Sequence, residues 1–210
     1  MGVPKHETDL LAIRQSLSIR TLDVLLATVF LICSIPVMTF ISILIMIFDG
    51  WPIFFRQVRY GVGMQEISIL KFRTMRVGAD RFEQEKLKHL KEPNVQTEND
   101  DRITWIGRIL RRLSLDELPE MSLVLRGQMS LVGPRPLIKA EVQQFPSKYL
   151  NRFSVLPGVT GLAQVSGRSK LSVWDILDLD LQWVENYSLG LYLRILLKTV
   201  TVVLRIDQAY

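Results

Sequence analysis

Cysteine is nearly absent from this chain of 210 residues, which contains only Cys33. A single thiol allows no intramolecular disulfide, so a disulfide-stabilised secreted fold is excluded. The two histidines, His6 and His89, have no Cys or His partner at metal-ligand spacing, so nothing indicates a zinc site. The chain also lacks a P-loop and a G-x-G-x-x-G motif, which removes the sequence evidence for those nucleotide-binding classes.

Charged residues are missing from residues 24–48, a run of 25 residues without Asp, Glu, Lys or Arg. At about 1.5 Å per residue, a helix of this length reaches across a hydrocarbon core of about 30 Å. The apolar region of a cleaved signal peptide is shorter, about 7–15 residues, and ends at a small-residue site that is absent here. The segment therefore predicts a permanent membrane anchor.

Pro36 lies at the midpoint of this anchor, with 12 residues on each side. Proline removes a backbone donor and kinks or breaks a helix, so two arms of about 18 Å can enter one leaflet and return. Ser34 and Thr39 are placed to satisfy backbone groups that such a break frees. Basic residues flank both ends, namely Lys5, Arg14 and Arg20 before the segment and Arg56, Arg59, Lys71 and Arg73 after it.

This symmetric flanking charge favours a re-entrant hairpin, broken at Ser34 and Pro36, with both ends on the cytoplasmic face. A spanning helix is expected to have unequal basic flanks instead. The alternative left open is a proline-kinked helix that crosses the bilayer.

The rest of the composition is that of a folded domain. Hydrophobic residues make up 48% and charged residues 22%, which excludes a disordered chain, and 26 basic against 21 acidic residues give a net charge of +5. Hydrophobic patterning predicts a strand hairpin from 53–55 and 67–70, a helix over 103–113, a helix from Asp116 to Arg126, and an amphipathic interfacial helix over 189–204. A short helix is also predicted at 79–91, within a charged excursion.

The stretch Ser114-Leu-Asp-Glu-Leu-Pro has two interpretations. In the first, Ser114 and Glu117 form a capping box at the start of a helix. In the second, Asp116 and Glu117 are a carboxylate pair at a helix N-terminus, suited to binding a divalent cation. The rigid Gly-Pro-Arg-Pro turn that follows presents Arg135, whose planar guanidinium suits a bidentate phosphate contact. Together these residues indicate a site for a phosphate ester.

Several blocks of sequence carry a resemblance to a known family. The stretches FFRQVRYGVG, ILKFRTM, RRLSLDELPEMSLVLRGQMSLVGPRPL and PGVTGLAQVSGR resemble the bacterial sugar transferases, the monotopic phosphoglycosyl transferases that begin polysaccharide and glycoconjugate assembly. The ending LLKTVTVVLRIDQAY is similar to members that transfer hexose 1-phosphate. The resemblance covers nearly the whole chain, from about residue 18 to residue 210.

This resemblance implies transfer of a sugar 1-phosphate from a UDP-sugar to polyprenyl (undecaprenyl) phosphate, with Mg²⁺ as the cofactor and UMP as the product. Asp116 is then the nucleophile, which forms a covalent aspartyl-phosphosugar intermediate, and Glu117 is its partner in metal or proton handling; both are the implied metal ligands. The implied phosphate-binding residues are Arg111, Arg135, Lys71, Arg73 and Arg168.

The expected protein is therefore a membrane-associated α+β enzyme. Its expected parts are a prefix at 1–20, a re-entrant membrane helix at 21–50, and a small cytoplasmic α/β catalytic domain with interfacial amphipathic helices at 51–210. Its expected location is the cytoplasmic face of the bacterial inner membrane, where the lipid bilayer is a further partner, homo-oligomers are possible and nucleic acid is not expected. The alternative function is a membrane-tethered basic scaffold or lipid-binding protein without catalysis.

Overall fold

A single apolar helix, α1 (Leu17–Phe48), begins the computed structural model, which describes residues 15–79, 100–167 and 171–204. Its length and composition are sufficient to cross a membrane. The elements that follow are β1 (Phe54–Tyr60), β2 (Glu66–Phe72), α2 (Trp105–Arg112), α3 (Met121–Leu125), β3 (Ser130–Val132), α4 (Lys139–Val142), β4 (Gly158–Thr160), α5 (Leu162–Ser166), α6 (Val173–Glu185) and α7 (Leu189–Leu204). Three 3₁₀ helices, at Val62–Met64, Leu115–Glu120 and Ser147–Ser154, connect them. The predicted α+β class is confirmed.

Most of the local predictions agree with these elements. The predicted strand hairpin is β1 and β2, the helix predicted over 103–113 is α2, and the predicted amphipathic helix over 189–204 is α7. Most of the prefix at 1–20, nearly all of the helix predicted at 79–91, and Arg168 lie outside the described residues.

Pro36 does not interrupt α1, which differs from the predicted break. Proline removes only its own donor, so the single carbonyl freed is that of Ile32, and the flanking turns keep their helical hydrogen bonds. The Ser34 hydroxyl donates to the Leu31 carbonyl at 3.0 Å and that of Thr39 to the Ile35 carbonyl at 2.9 Å. Neither hydroxyl binds the freed carbonyl of Ile32. The prediction that Ser34 and Thr39 satisfy the backbone groups freed at a break is therefore wrong.

One face of α1 is buried along both halves of the helix. In the first half, Ile19 and Ala27 belong to the main hydrophobic core. In the second half, Ile41 and Ile45 pack in a second cluster with Phe72, Ile106, Leu110 and Leu118. Leu118 of the second cluster and Met121 of the main core lie three positions apart in the chain, so both halves of α1 pack on the same domain.

Asp23 is a fully buried carboxylate in the second turn of α1, just before its long apolar run. Its Oδ1 accepts a hydrogen bond from the backbone N–H of Leu131 at 2.8 Å and another from the Tyr192 hydroxyl at 2.7 Å. Its Oδ2 accepts from Nε2 of Gln15 at 2.5 Å. These bonds join α1 to β3 and α7, so a polar group fixes how the helix lies on the domain.

Two small sheets complete the framework. Strands β1 and β2 pair antiparallel, with Phe54 opposite Phe72 and Tyr60 opposite Glu66. Strands β3 and β4 pair parallel, with Val132 opposite Thr160. The first sheet places Lys71 and Arg59 near the Leu115–Glu120 helix, and the second supports the turn that follows Val132.

Removal of the Asp23 carboxylate should separate α1 from the domain. The Asp23→Ala substitution leaves the buried Leu131 N–H and Tyr192 hydroxyl without an acceptor, at a cost of roughly 2–5 kcal/mol in the free energy of unfolding. Asp23→Asn should lose less, because its amide oxygen still accepts. The measurement is the thermal unfolding midpoint in detergent, with the exposed Thr28→Ala as the control. Equal midpoints for Asp23→Ala and the control would contradict this role.

Candidate active site

The Asp116–Glu117 pair lies in the 3₁₀ helix Leu115–Glu120, which begins after a residue with positive φ. Ser114 has φ 54° and ψ 24°, and its side chain caps no backbone N–H. The predicted capping box with Glu117 is therefore wrong. The reason is that the left-handed conformation of Ser114 differs from the extended one of an N-cap residue, while the Glu117 carboxylate binds Lys71.

The 3₁₀ geometry decides which carboxylates share a cation. With three residues per turn, side chains at i and i+3 eclipse each other, so Glu117 and Glu120 lie on one side of the helix. Lys71 Nζ reaches both, at 2.6 Å from Glu117 Oε1 and 3.1 Å from Glu120 Oε1. The α-helix predicted from Asp116 to Arg126 is therefore wrong in its first part: Leu115–Glu120 is a 3₁₀ helix, and the α-helix α3 begins only at Met121.

Asp116 lies outside this ion pair. Its carboxylate is buried, and within the described residues it has no ion-pair partner. Desolvation by burial and the neighbouring Glu117 carboxylate raise the pKa of Asp116, whereas Lys71 and Arg111 act in the opposite direction. The structure thus leaves one carboxylate unpaired beside two cations.

The two carboxylates that bind Lys71 have opposite pKa shifts. Burial raises the pKa of Glu117, but Lys71 and Arg135 outweigh it, and the net shift is downward. Burial raises the pKa of Glu120, and its bond to Lys71 only partly offsets this. Glu117 is therefore the carboxylate that the cations of the site keep ionised.

Arg111 is placed by a close approach between α2 and the residues after β2. A Cβ on Gly107 would lie 2.1 Å from the Thr74 carbonyl oxygen, so only glycine allows this contact. The contact brings Arg111 Nε to 2.9 Å from the Thr74 hydroxyl, which accepts its hydrogen bond. Arg111 is thereby held near Asp116, as the sequence predicts.

Arg135 follows β3 and reaches the same group of charges. Its side chain is exposed, and its charge lowers the pKa of Glu117. Arg59, on β1, also contributes to that lowering, while burial and the nearby Arg135 lower the pKa of Arg59 itself. Its guanidinium donates to the Pro136 carbonyl at 2.8 Å and to Gln57 Oε1 at 2.8 Å.

Arg59 and Glu120 are the two members of the site that the sequence interpretation missed. Period-two alternation along β1 places Gln57 and Arg59 on one face, which was a usable signal for Arg59. Glu120 follows Pro119 within the same acidic stretch, and only the 3₁₀ conformation shows that it shares Lys71 with Glu117.

Arg73 does not join this group of charges. Its side chain is 5% exposed, and its Nη2 donates to the carbonyls of Asp49 and Gly50 at 2.6 and 2.8 Å, just after the end of α1. Arg73 therefore holds the chain after α1 against β2, and the geometry gives no support to its predicted phosphate contact. The position of Arg168, the remaining predicted phosphate ligand, lies outside the described residues.

Four cationic side chains thus lie near three carboxylates beside the β1–β2 sheet. The cations are Lys71, Arg111, Arg135 and Arg59, and the carboxylates are Asp116, Glu117 and Glu120. An excess of guanidinium and ammonium groups around one unpaired carboxylate suits an anionic phosphate ester. Together with α1, whose length and composition are sufficient to cross a membrane, the arrangement suits a class of proteins that act on phosphate esters close to lipid.

Comparison with known proteins identifies this class more closely. Residues 14–206 match the bacterial sugar transferase family, and the chain belongs to that family. It is 36% identical to the exopolysaccharide production protein ExoY of Rhizobium meliloti over 196 residues, which cover 88% of this chain and 84% of the relative.

Two further relatives are longer proteins. The chain is 35% identical to the UDP-glucose:undecaprenyl-phosphate glucose-1-phosphate transferase of Escherichia coli, over 94% of this chain and 42% of the relative. It is 36% identical to the undecaprenyl-phosphate galactose phosphotransferase of Salmonella typhimurium, over 98% of this chain and 46% of the relative. The protein is therefore a transferase, which decides against the non-catalytic scaffold.

Loss of Lys71 should destabilise the site through its two carboxylate partners. Lys71→Met leaves Glu117 and Glu120 facing each other without a cation, which should lower the free energy of unfolding by on the order of 3 kcal/mol. The measurement is the thermal unfolding midpoint in detergent, with the exposed Lys139→Met as the matched control. A second change, Glu120→Gln, should restore part of the loss. Equal stability of Lys71→Met and Lys139→Met would show that the ion pairs are unimportant.

Proposed function

We propose that this protein transfers a sugar 1-phosphate from a UDP-sugar to polyprenyl phosphate and releases UMP. Two observations support the proposal. Relatives that match 94% and 98% of the chain carry names that specify sugar-phosphate transfer to undecaprenyl phosphate. The site combines an unpaired buried carboxylate with cations that suit a diphosphate. A UDP-hexose is the favoured donor, and polysaccharide assembly is the favoured process.

Asp116 is the proposed nucleophile. Its carboxylate oxygen attacks the sugar-bearing phosphorus of the UDP-sugar, and the bond from that phosphorus to the bridging oxygen breaks as UMP leaves. The product is an aspartyl phosphosugar, in which the phosphorus is bonded to the Asp116 oxygen. An oxygen of the lipid phosphate then attacks the same phosphorus, and the Asp116 carboxylate is released. The unpaired state of Asp116 supports this assignment, because an ion-paired carboxylate is a weaker nucleophile.

The basic side chains have a separate task in this proposal. Phosphoryl transfer depends mainly on positioning and on neutralising charge around the phosphorus. Arg111, near Asp116, and Arg135, near Glu117, are placed to contact phosphate oxygens. Lys71 instead holds Glu117 and Glu120, which sets the charge and orientation of the carboxylate next to the nucleophile.

Mg²⁺ is the proposed cofactor, with Asp116 and Glu117 as its protein ligands. Within the described ranges, no group of three or more His, Cys, Asp and Glu side chains forms a metal site. Mg²⁺ is commonly bound through one or two carboxylates plus substrate phosphates, so the pair fits this cation. Burial and the neighbouring Glu117 carboxylate raise the pKa of Asp116, and a bound cation would favour its ionised form. When bound, the cation neutralises charge on the diphosphate.

We further propose that α1, although continuous through Pro36, bends there in the inner membrane, so that it enters from the cytoplasmic face and returns to it. The packing of both halves of α1 on one domain supports this topology, because a crossing helix would carry one half away from that domain. The opposite face of the helix is apolar and exposed, at Phe30, Ile32, Ile35 and Phe40. Trp51 and Trp105, near the end of α1, are also exposed and suit the interface between lipid and water.

A trapping experiment tests the proposed nucleophile. Enzyme incubated with a labelled UDP-hexose and no lipid should release UMP in an amount close to that of active enzyme, and the labelled phosphosugar should remain on the protein. Asp116→Asn should abolish both signals, because an amide is a poor nucleophile, whereas the exposed Asp101→Asn should retain them. Glu117→Gln should slow turnover, with any residual label still on Asp116.

Two outcomes of the trapping experiment would contradict the proposal. Direct attack by the lipid phosphate predicts neither UMP without lipid nor labelled protein, so an empty trap with active enzyme overturns the role of Asp116. Full turnover in the presence of EDTA would exclude the Mg²⁺ requirement. A panel of UDP-sugars in the same assay identifies the donor.

Cysteine labelling tests the topology. In a Cys33→Ser background, single cysteines at Lys5 and at the exposed Val58 should both react with a membrane-impermeant reagent only from the cytoplasmic side. The basis is that both ends of α1 lie on one side of the bilayer. Each variant is compared after permeabilisation, which should label both fully. Periplasmic labelling of either site in intact cells would establish a spanning helix instead.

A further inference from the structure

The segment that carries Arg135 is held through its backbone at four consecutive residues. The Pro134 carbonyl accepts from the N–H of Gly158 at 2.9 Å, and the Leu137 carbonyl accepts from the N–H of Tyr60 at 2.8 Å. Between them, the Arg135 carbonyl accepts from Arg152 Nη2 and the Pro136 carbonyl from Arg59 Nη1, each at 2.8 Å. No carbonyl from 134 to 137 is left without a donor.

The donors come from parts of the chain that are far apart in sequence. Gly158 reaches Pro134 because β3 and β4 approach very closely here. A Cβ on Gly158 would lie 2.0 Å from the backbone N of Gly133, and one on Gly133 would lie 2.4 Å from the Leu156 carbonyl oxygen. Both positions therefore require glycine, and the main chain before Arg135 cannot shift without breaking this contact.

Arg152 is almost fully buried, with 2% of the residue exposed, so its charge needs a buried partner. Asp180 on α6, which is 1% exposed, is that partner. Its Oδ2 accepts from Arg152 Nε at 3.1 Å and from Nη2 at 2.5 Å. The same Nη2 also donates to the Arg135 carbonyl, so one nitrogen links the buried ion pair to the backbone of the site.

The side chain of Arg135 is exposed, and its charge lies near enough to Glu117 to lower the pKa of that carboxyl. We propose that Arg152 and Asp180 are positioning residues, which fix the backbone of Arg135 so that its guanidinium faces the substrate phosphates. This inference rests on the proposed function, in which Arg135 contacts those phosphates. The planar guanidinium of Arg152 binds Asp180 and the Arg135 carbonyl at once. A lysine ammonium does not reproduce this geometry.

A double-mutant cycle between residues 152 and 135 tests the proposal. Arg152→Lys should lower kcat/KM for UMP release by about 10- to 100-fold, as expected for an ångström-scale displacement of a catalytic contact. In an Arg135→Ala background the same change should alter kcat/KM by less than about twofold, because no guanidinium remains to be positioned. The unfolding midpoint should fall equally in both backgrounds. Arg126→Lys, an exposed arginine away from the site, is the matched control.

The near-isosteric Asp180→Asn repeats the cycle without changing the donor, and it should show the same dependence on Arg135. An equal loss of activity in both backgrounds would overturn the proposal, because Arg152 would then act independently of Arg135. Full activity of Arg135→Ala would overturn it as well. Failure of the proposed function gives a different result, since the wild-type enzyme would then release no UMP from any UDP-sugar.

Discussion

The buried carboxylate of Asp23 is the interaction on which the arrangement of this protein depends. A charge in an apolar helix is costly to bury unless it is fully hydrogen-bonded, and here donors from outside α1 satisfy it. Two of these donors, the Leu131 N–H and the Tyr192 hydroxyl, are available only where β3 and α7 meet the helix. The carboxylate therefore accepts one placement of α1 on the domain, whereas apolar side chains alone would tolerate several. Strand β3 leads directly into the segment of Arg135, so α1 and the site share one framework.

Local patterns predicted the local elements, and contacts between distant residues decided the rest. Alternation and helical spacing identified the β1–β2 hairpin, α2 and α7, because each signal lies within a short window. The resemblance implied that Arg111, Arg135 and Lys71 lie in one site with Asp116 and Glu117. In the structure, the charges of these three residues act on the two carboxylates. The capping box was wrong because Glu117 is bound by Lys71, a residue 46 positions away. The structural role of Asp23 had no local signal at all.

The 3₁₀ conformation of Leu115–Glu120 explains how adjacent carboxylates acquire different properties. Three residues per turn direct Glu117 and Glu120 to one cation and leave Asp116 on another side. A regular α-helix, with 100° between successive side chains, would not superimpose Glu117 and Glu120 in this way. The difference between a charge-paired and an unpaired carboxylate thus arises from backbone geometry, which propensity alone does not reveal. In the proposed function, the unpaired carboxylate of Asp116 is the nucleophile.

Helices α1 and α7 share one hydrophobic core, and this has a consequence for biosynthesis. Asp23 and Tyr192 are 169 positions apart, and Ile195 of α7 lies in the same core as Ile19 of α1. The ribosome must therefore complete α7 before this part of the surface that packs on α1 exists. Until then, the part of α1 that contacts α7 stays uncovered by its own domain. Contacts of such long range form slowly, so α7 completes this core late in folding.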